Sequence, residues 1–238
     1  MLQQLKMDLS LSKKTFLYLL LASLAGFAFG AIMVFMIMTF DSNPGSWFCM
    51  GTLMSGVVTF AVLIFFHSFS YKADFMLALS MGRTRSCFMF STLCILLLEM
   101  IMAYGLTLLY YTAEMTLYPI LYAGFSNEMT FSFLTNWRLV LPALIIVPIV
   151  ILFLGTMYAK FGKIAGIILY VVWMFGCLVL PRFVGVTERD TGLMNDIAYA
   201  IKSAFLAAPT AMLTGLGLAI LAAMVVATWY WGKRQMVK

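Results

Sequence analysis

Six stretches of this chain are apolar for about the length a bilayer demands: residues 15–40, 48–70, 88–112, 139–158, 164–183 and 209–231. A helix crosses the hydrocarbon core in about 20 residues. Lipid offers no partner to a backbone N–H or C=O, so a single apolar run crosses as a helix. The expectation is an all-α polytopic membrane protein, one transmembrane domain over residues 1–238 with six transmembrane helices. Charged residues make up 10% of the sequence, against about 25% in a soluble domain. Asp, Glu, Lys and Arg are therefore sparse enough for each position to carry meaning.

Their distribution sets the expected orientation. An even number of spans places both termini on one side. One set of connecting segments holds Lys6, Lys13, Lys14, Lys72, Arg83, Arg85, Lys160, Lys163, Lys233, Arg234 and Lys238, eleven of the fifteen basic residues. The opposite set holds Arg138, Arg182, Arg189 and Lys202 with Asp41, Glu114, Glu128, Glu188, Asp190 and Asp196. The excess of Lys and Arg marks the cytoplasmic side, which puts both termini in the cytoplasm of a multi-pass cell-membrane protein. The net charge of +6 is then explained by topology, and no nucleic-acid partner is expected.

Small residues punctuate the first run. Ala22, Gly26 and Gly30 recur every four residues, which brings them to one helix face and lets a neighbouring helix approach closely. That neighbour is either another span of the same chain or a second subunit. Residues 1–14 carry Leu2, Leu5 and Leu9 among polar positions, a weak amphipathic helix suited to the interface. Leu193, Ile197, Ile201 and Phe205 mark another amphipathic helix on the outer side. Pro142 and Pro148 sit inside the fourth run, where neighbouring helices can satisfy the freed carbonyls.

Residues 71–87, YKADFMLALSMGRTRSC, join the second and third runs on the basic side. Lys72, Asp74, Arg83 and Arg85 make the segment polar, Gly82 breaks it, and Phe75, Met76 and Leu79 keep an apolar face at i, i+1, i+4 spacing. Such a segment docks into a partner's groove or packs on lipid headgroups.

Catalytic chemistry is not expected. The chain contains no GxxxxGK[ST], HExxH or GxSxG. Its four cysteines have no metal or disulfide spacing, and its 20 methionines suit gap-filling between helices. No catalytic residue, metal site or cofactor in this chain is expected. His67 reads as an interfacial histidine. Glu99 is the acid deep in a span, where a carboxylate is protonated, paired or facing a polar cavity, and it is the candidate residue on a substrate path.

The six-span plan, the amphipathic N-terminus and the stretch ALSMGRTRSCF at residues 78–88 together resemble the permease subunit of a bacterial type-2 ABC exporter. The likeness is architectural over the whole chain and motif-like over residues 78–88. It implies a coupling helix within residues 72–85, including Lys72, Asp74, Phe75, Met76, Leu79, Arg83 and Arg85, that docks a separate ABC ATPase carrying ATP and Mg. It also implies a second permease subunit, identical or different, membrane lipid around the pair, and export of an amphipathic or hydrophobic substrate such as a membrane-active peptide. A sensor or immunity protein against such a peptide and, less well supported, a lipid-modifying membrane enzyme are the rival classes.

Overall fold

The computed structural model describes residues 13–40, 46–122, 126–129, 131, 134–168, 170–171, 174 and 210–234. Residues 1–12 of the expected amphipathic segment 1–14, the expected amphipathic segment 193–205 and the later part of the fifth apolar run lie outside the described residues. Among the described residues, five helices are long and apolar enough to cross a membrane. They are α1 (Lys13–Phe40), α2 (Met50–Ser80), α3 (Arg85–Leu121), α4 (Trp137–Phe161) and α5 (Thr210–Arg234). The chain divides into two compact units, Met1–Gly155 and Thr156–Lys238, with α4 running from the first into the second.

Helix α2 does not stop where its apolar run stops. It continues ten residues past Ser70 to Ser80, because Lys72, Asp74 and their neighbours are acceptable helix formers and only Gly82 is a strong breaker. Gly82 takes φ +76. Its N–H bonds to the carbonyl of Leu79, and the Arg83 N–H bonds to that of Ala78. These two bonds make a Schellman cap, which needs a left-handed residue. Two residues later Thr84, extended at φ −74 and ψ 147, accepts the Cys87 N–H on its side chain and starts α3. The segment expected as a separate helix between spans is therefore the tip of a tight α2–α3 hairpin. Helix α3 likewise runs past residue 112 to Leu121 and contains Pro119 near its end.

At the other end of the hairpin, α2 begins without a side-chain cap of its own, since Cys49 occupies the capping position and makes no such bond. Glu114 of α3 takes that place. Its Oε1 accepts from the Gly51 N–H at 2.9 Å and the Tyr118 hydroxyl at 2.8 Å. Its Oε2 accepts from the Thr52 N–H at 2.9 Å and the Thr52 hydroxyl at 2.5 Å. A buried carboxylate so placed satisfies two orphan amides and meets the positive end of the helix dipole. Val34, Trp47, Cys49, Tyr111 and Tyr118 form a buried cluster around it, with Trp47 edge-on to Tyr118 at 5.5 Å. Burial, and then the Glu114 charge, push the Cys49 thiol up to about 12, so it stays protonated and inert.

The helical architecture carries one short strand pair. Ser46–Phe48 (β1) pairs in parallel with Ser126–Met129 (β2), with a register shift between Trp47 and Phe48. The hairpin brings the chain entering α2 and the chain leaving α3 to the same end, and each backbone supplies the other's hydrogen bonds.

Helix α1 packs along α2 through Leu19, Ser23, Gly26, Gly30 and Val34. A Cβ at Gly30 would stand 2.6 Å from the Gly51 Cα, and one at Gly26 would stand 2.9 Å from the Met54 carbonyl oxygen. The Ser23 and Ser55 hydroxyls bond across the contact at 3.0 Å. Phe27 stacks on Tyr110 of α3 at 4.4 Å. The rest of α1 exposes large apolar side chains such as Leu17, Phe29 and Phe35, a surface suited to lipid. Helix α4 joins the unit where Gly155 lies against the Tyr71 ring.

In the second unit Gly162, at φ +61, ends α4, and residues 163–168 are helical again. Trp231 of α5 meets Phe161 edge-on at 5.7 Å and lies 4.6 Å from the Lys160 ammonium. The Lys233 ammonium sits 4.5 Å from the Trp229 ring. Aromatic rings paired with lysines are suited to a membrane–water boundary.

Three substitutions test this account. Glu114→Ala strips the acceptors from two amides and two hydroxyls. The expected loss is about 2 kcal/mol or more of stability in detergent, with faster hydrogen exchange at the Gly51 and Thr52 amides than at mid-α2. Unchanged exchange there would refute the clamp. Gly30→Ala, forced against the α2 backbone, should cost about 1–3 kcal/mol. Gly56→Ala, with open space around its Cβ, should be neutral or stabilising by up to about 1 kcal/mol.

Candidate functional site

The hairpin sets α2 and α3 antiparallel, so residues equally far from the turn face each other. His67 and Glu99 meet in this way, Nε2 to Oε2 at 2.5 Å. Glu99 is fully buried and the His67 side chain is 15% exposed. The pair stands 15 residues along α3 from the Glu114 clamp, a rise of about 22 Å, and so lies toward the Gly82 end. The expectation of a lone acid deep in the span is thereby sharpened. Glu99 has a partner on one oxygen, whereas Glu99 Oε1 has no hydrogen-bond partner among the described residues.

Both side chains line a cavity of about 290 Å³ between the first turn of α1, the last turns of α2 and the start of α3. Thr15, Ser70, Tyr71, Asp74, Arg83, Ser91 and Thr92 give it polar character, and Phe66, Leu77, Met81, Phe88 and Ile95 complete its wall. The Ser70 and Tyr71 hydroxyls are also buried without a partner among the described residues. A second cavity, of about 330 Å³, lies between α2, α3 and the start of α4. Its lining is mainly apolar (Phe60, Leu63, Leu139, Leu144), and Tyr104 there spends its hydroxyl on the Leu134 carbonyl at 2.8 Å. Ionisable chemistry converges at the first cavity, not the second.

The expected docking residues are split by the hairpin. Phe75 is 3% exposed and packs against Tyr71 and Phe88, with ring centroids at 6.1 and 5.4 Å. It holds the hairpin together. Arg83 is buried, Met76, Leu79 and Arg85 are half-buried, and Lys72 and Asp74 are exposed. Leu77 and Met81, one helical turn apart, are the exposed large apolar residues of the tip. Lys72, Asp74, Leu77 and Met81 thus define the accessible tip surface, while Asp74, Leu77, Met81 and Arg83 also belong to the cavity wall.

Of the small-residue ladder, Gly26 and Gly30 are buried against α2 and Ala22 is half-buried. The close neighbour they serve is a span of the same chain. Glu114, counted by charge among the acids of the outer segments, is 1% exposed and committed to the α2 terminus. The signal that would have found both pairs is their symmetry about Gly82. His67 lies 15 residues before it and Glu99 17 after, while Thr52 lies 30 before and Glu114 32 after.

Removing one partner of the buried pair is the harsher change. His67→Ala should destabilise the chain by about 3 kcal/mol or more by leaving Glu99 alone, whereas Glu99→Gln, which retains a hydrogen-bonding amide, should cost less. Combining His67→Ala with Glu99→Leu should recover much of the loss. Additive losses in thermal unfolding would show that the two side chains are not coupled.

No family model matches this chain, and no curated protein or solved structure matches it significantly.

Proposed function

We propose that this chain is the transmembrane permease subunit of an ABC exporter. It moves an amphipathic or hydrophobic molecule, with a membrane-active peptide as the leading class, using ATP hydrolysed by a separate subunit. The observation that carries the reading is the length of the α2–α3 hairpin. Thirty-one and 37 residues rise about 46 and 55 Å, against about 30 Å of hydrocarbon. The surplus at the Gly82 end carries Lys72, Asp74 and Arg85 together with exposed Leu77 and Met81. A rigid helical tip of mixed charged and apolar character is suited to transmit movement from a docked ATPase to the helices.

In this reading six spans cross the cell membrane with both termini and the Gly82 tip in the cytoplasm, and the basic residues gathered on that side support the orientation. Two such subunits, alike or different, form the path, with ATP and Mg held by the ATPase. The mainly apolar 330 Å³ cavity and the mixed lining of the 290 Å³ cavity favour a substrate with apolar surface over a sugar or a hydrated ion, which would require many convergent polar groups.

Purification from native membrane should bring down a nucleotide-binding subunit. Lys72→Glu with Met81→Asp should lower that association about tenfold or more while helix content and melting stay unchanged. Vesicles holding both subunits should move a labelled amphipathic peptide outward only with ATP. Absence of any nucleotide-binding partner, or ATP-driven uptake of a polar solute, would overturn the proposal.

A further inference from the structure

The cavity at the Gly82 end presents more buried oxygen atoms than the chain satisfies. Glu99 Oε1, the Tyr71 hydroxyl and the Ser70 hydroxyl all belong to residues of its wall, and none has a hydrogen-bond partner among the described residues. Glu99 and Tyr71 are 0% and 3% exposed. A buried carboxylate oxygen and two buried hydroxyls left unpaired are costly, so their joint presence at one cavity points to something that donates to them.

Charge narrows the donor. The ionisable groups facing the cavity are His67 and Asp74 from α2, Glu99 from α3, and Arg83 and Tyr71. Two carboxylates, Asp74 and Glu99, share this wall with one guanidinium, Arg83, which favours a cationic donor over an anionic ligand. The described residues contain no group of three metal-ligating side chains, which argues against a metal ion. Water would occupy the volume, at roughly 30 Å³ per molecule, and would satisfy the oxygens but not the apolar part of the wall. A primary alkylammonium does both. It brings three N–H donors to three unpaired oxygens, and Phe66, Phe88 and Ile95 on the same wall can take an alkyl chain.

We propose that this cavity binds the primary ammonium group of an amphiphile. Glu99 is the counter-charge, the Tyr71 and Ser70 hydroxyls are acceptors, and Asp74 is the exposed acid that attracts the cation. The inference deepens the exporter reading by naming the substrate's headgroup, but its test uses the chain alone. A chain that binds as expected without transporting keeps the ammonium site and loses the exporter reading. A chain that transports without any ammonium preference does the reverse.

The probes are decylamine, decyltrimethylammonium and decanol, titrated calorimetrically into the full chain in phosphatidylcholine nanodiscs, with empty nanodiscs as the partition baseline. Decylamine should bind saturably and about tenfold or more tighter than the other two, because the trimethyl group lacks N–H donors and decanol lacks charge. Glu99→Gln should erase the preference, and Tyr71→Phe should reduce it several-fold without loss of helix content. If Glu99→Gln fails to fold, Tyr71→Phe and the three-probe comparison carry the test. Phosphatidylethanolamine in the nanodisc presents the same ammonium. Competition by it would identify lipid as the source, and its absence a soluble amphiphile. Equal affinity for the three probes in the native chain, or an undiminished preference in the folded variants, would overturn the proposal.

Discussion

The contact on which the first unit depends is the Glu114 carboxylate at the start of α2. The first amides of a helix have no intrahelical acceptor, and in surroundings without water an unfilled donor is expensive. Cys49 cannot fill the role, so the acceptor comes from α3, 62 to 63 residues away in sequence. This contact pins one end of the hairpin, and the Gly82 cap closes the other. With both ends fixed, neither helix can slide by a turn without uncovering two amides. The remaining contacts follow from that register: Phe75 with Phe88, His67 with Glu99, and Gly51 presented to Gly30.

Apolar run length made the spans legible, and Gly26, Gly30 and Gly82 were legible as places of close approach or breakage. Helix ends were not. Hydropathy reports which solvent a segment suits, whereas a helix ends only where a residue such as Gly82 supplies a stop. This is why α2 passes through the polar Lys72 and Asp74 and why α3 passes beyond residue 112. The same error misread Phe75. Its spacing with Met76 and Leu79 did describe a helix face, but the continuation of α2 turns Phe75 toward α3, leaving Leu77 and Met81 outward.

Small and hydroxylated residues have a related part. Ser55, Thr59 and Ser68 lie on the buried face of α2, where a soluble protein would favour larger apolar side chains. Lipid provides little hydrophobic drive for helices to associate, so close backbone approach and cross-helix hydrogen bonds carry more of the packing. The bond between Ser23 and Ser55 beside the Gly26 contact is the local form of this rule. It explains why glycine substitution tolerance should differ so sharply between Gly30 and Gly56 on helices of similar composition.

The two buried glutamates of α3 separate structure from candidate function by how completely their oxygens are used. Glu114 accepts four hydrogen bonds, two on each oxygen, and nothing remains for a ligand. Glu99 meets His67 on one oxygen and leaves the other without a partner among the described residues. Equal burial therefore hides opposite roles. A carboxylate saturated by the chain's own donors stabilises a fixed register, while one that is half satisfied beside a cavity favours a donor from outside the chain. Sequence placed Glu114 in an outer segment and Glu99 deep in a span, and gave neither its partner. Only the pairing of α2 with α3, set by Gly82 and read outward residue by residue, brings each glutamate to its partner.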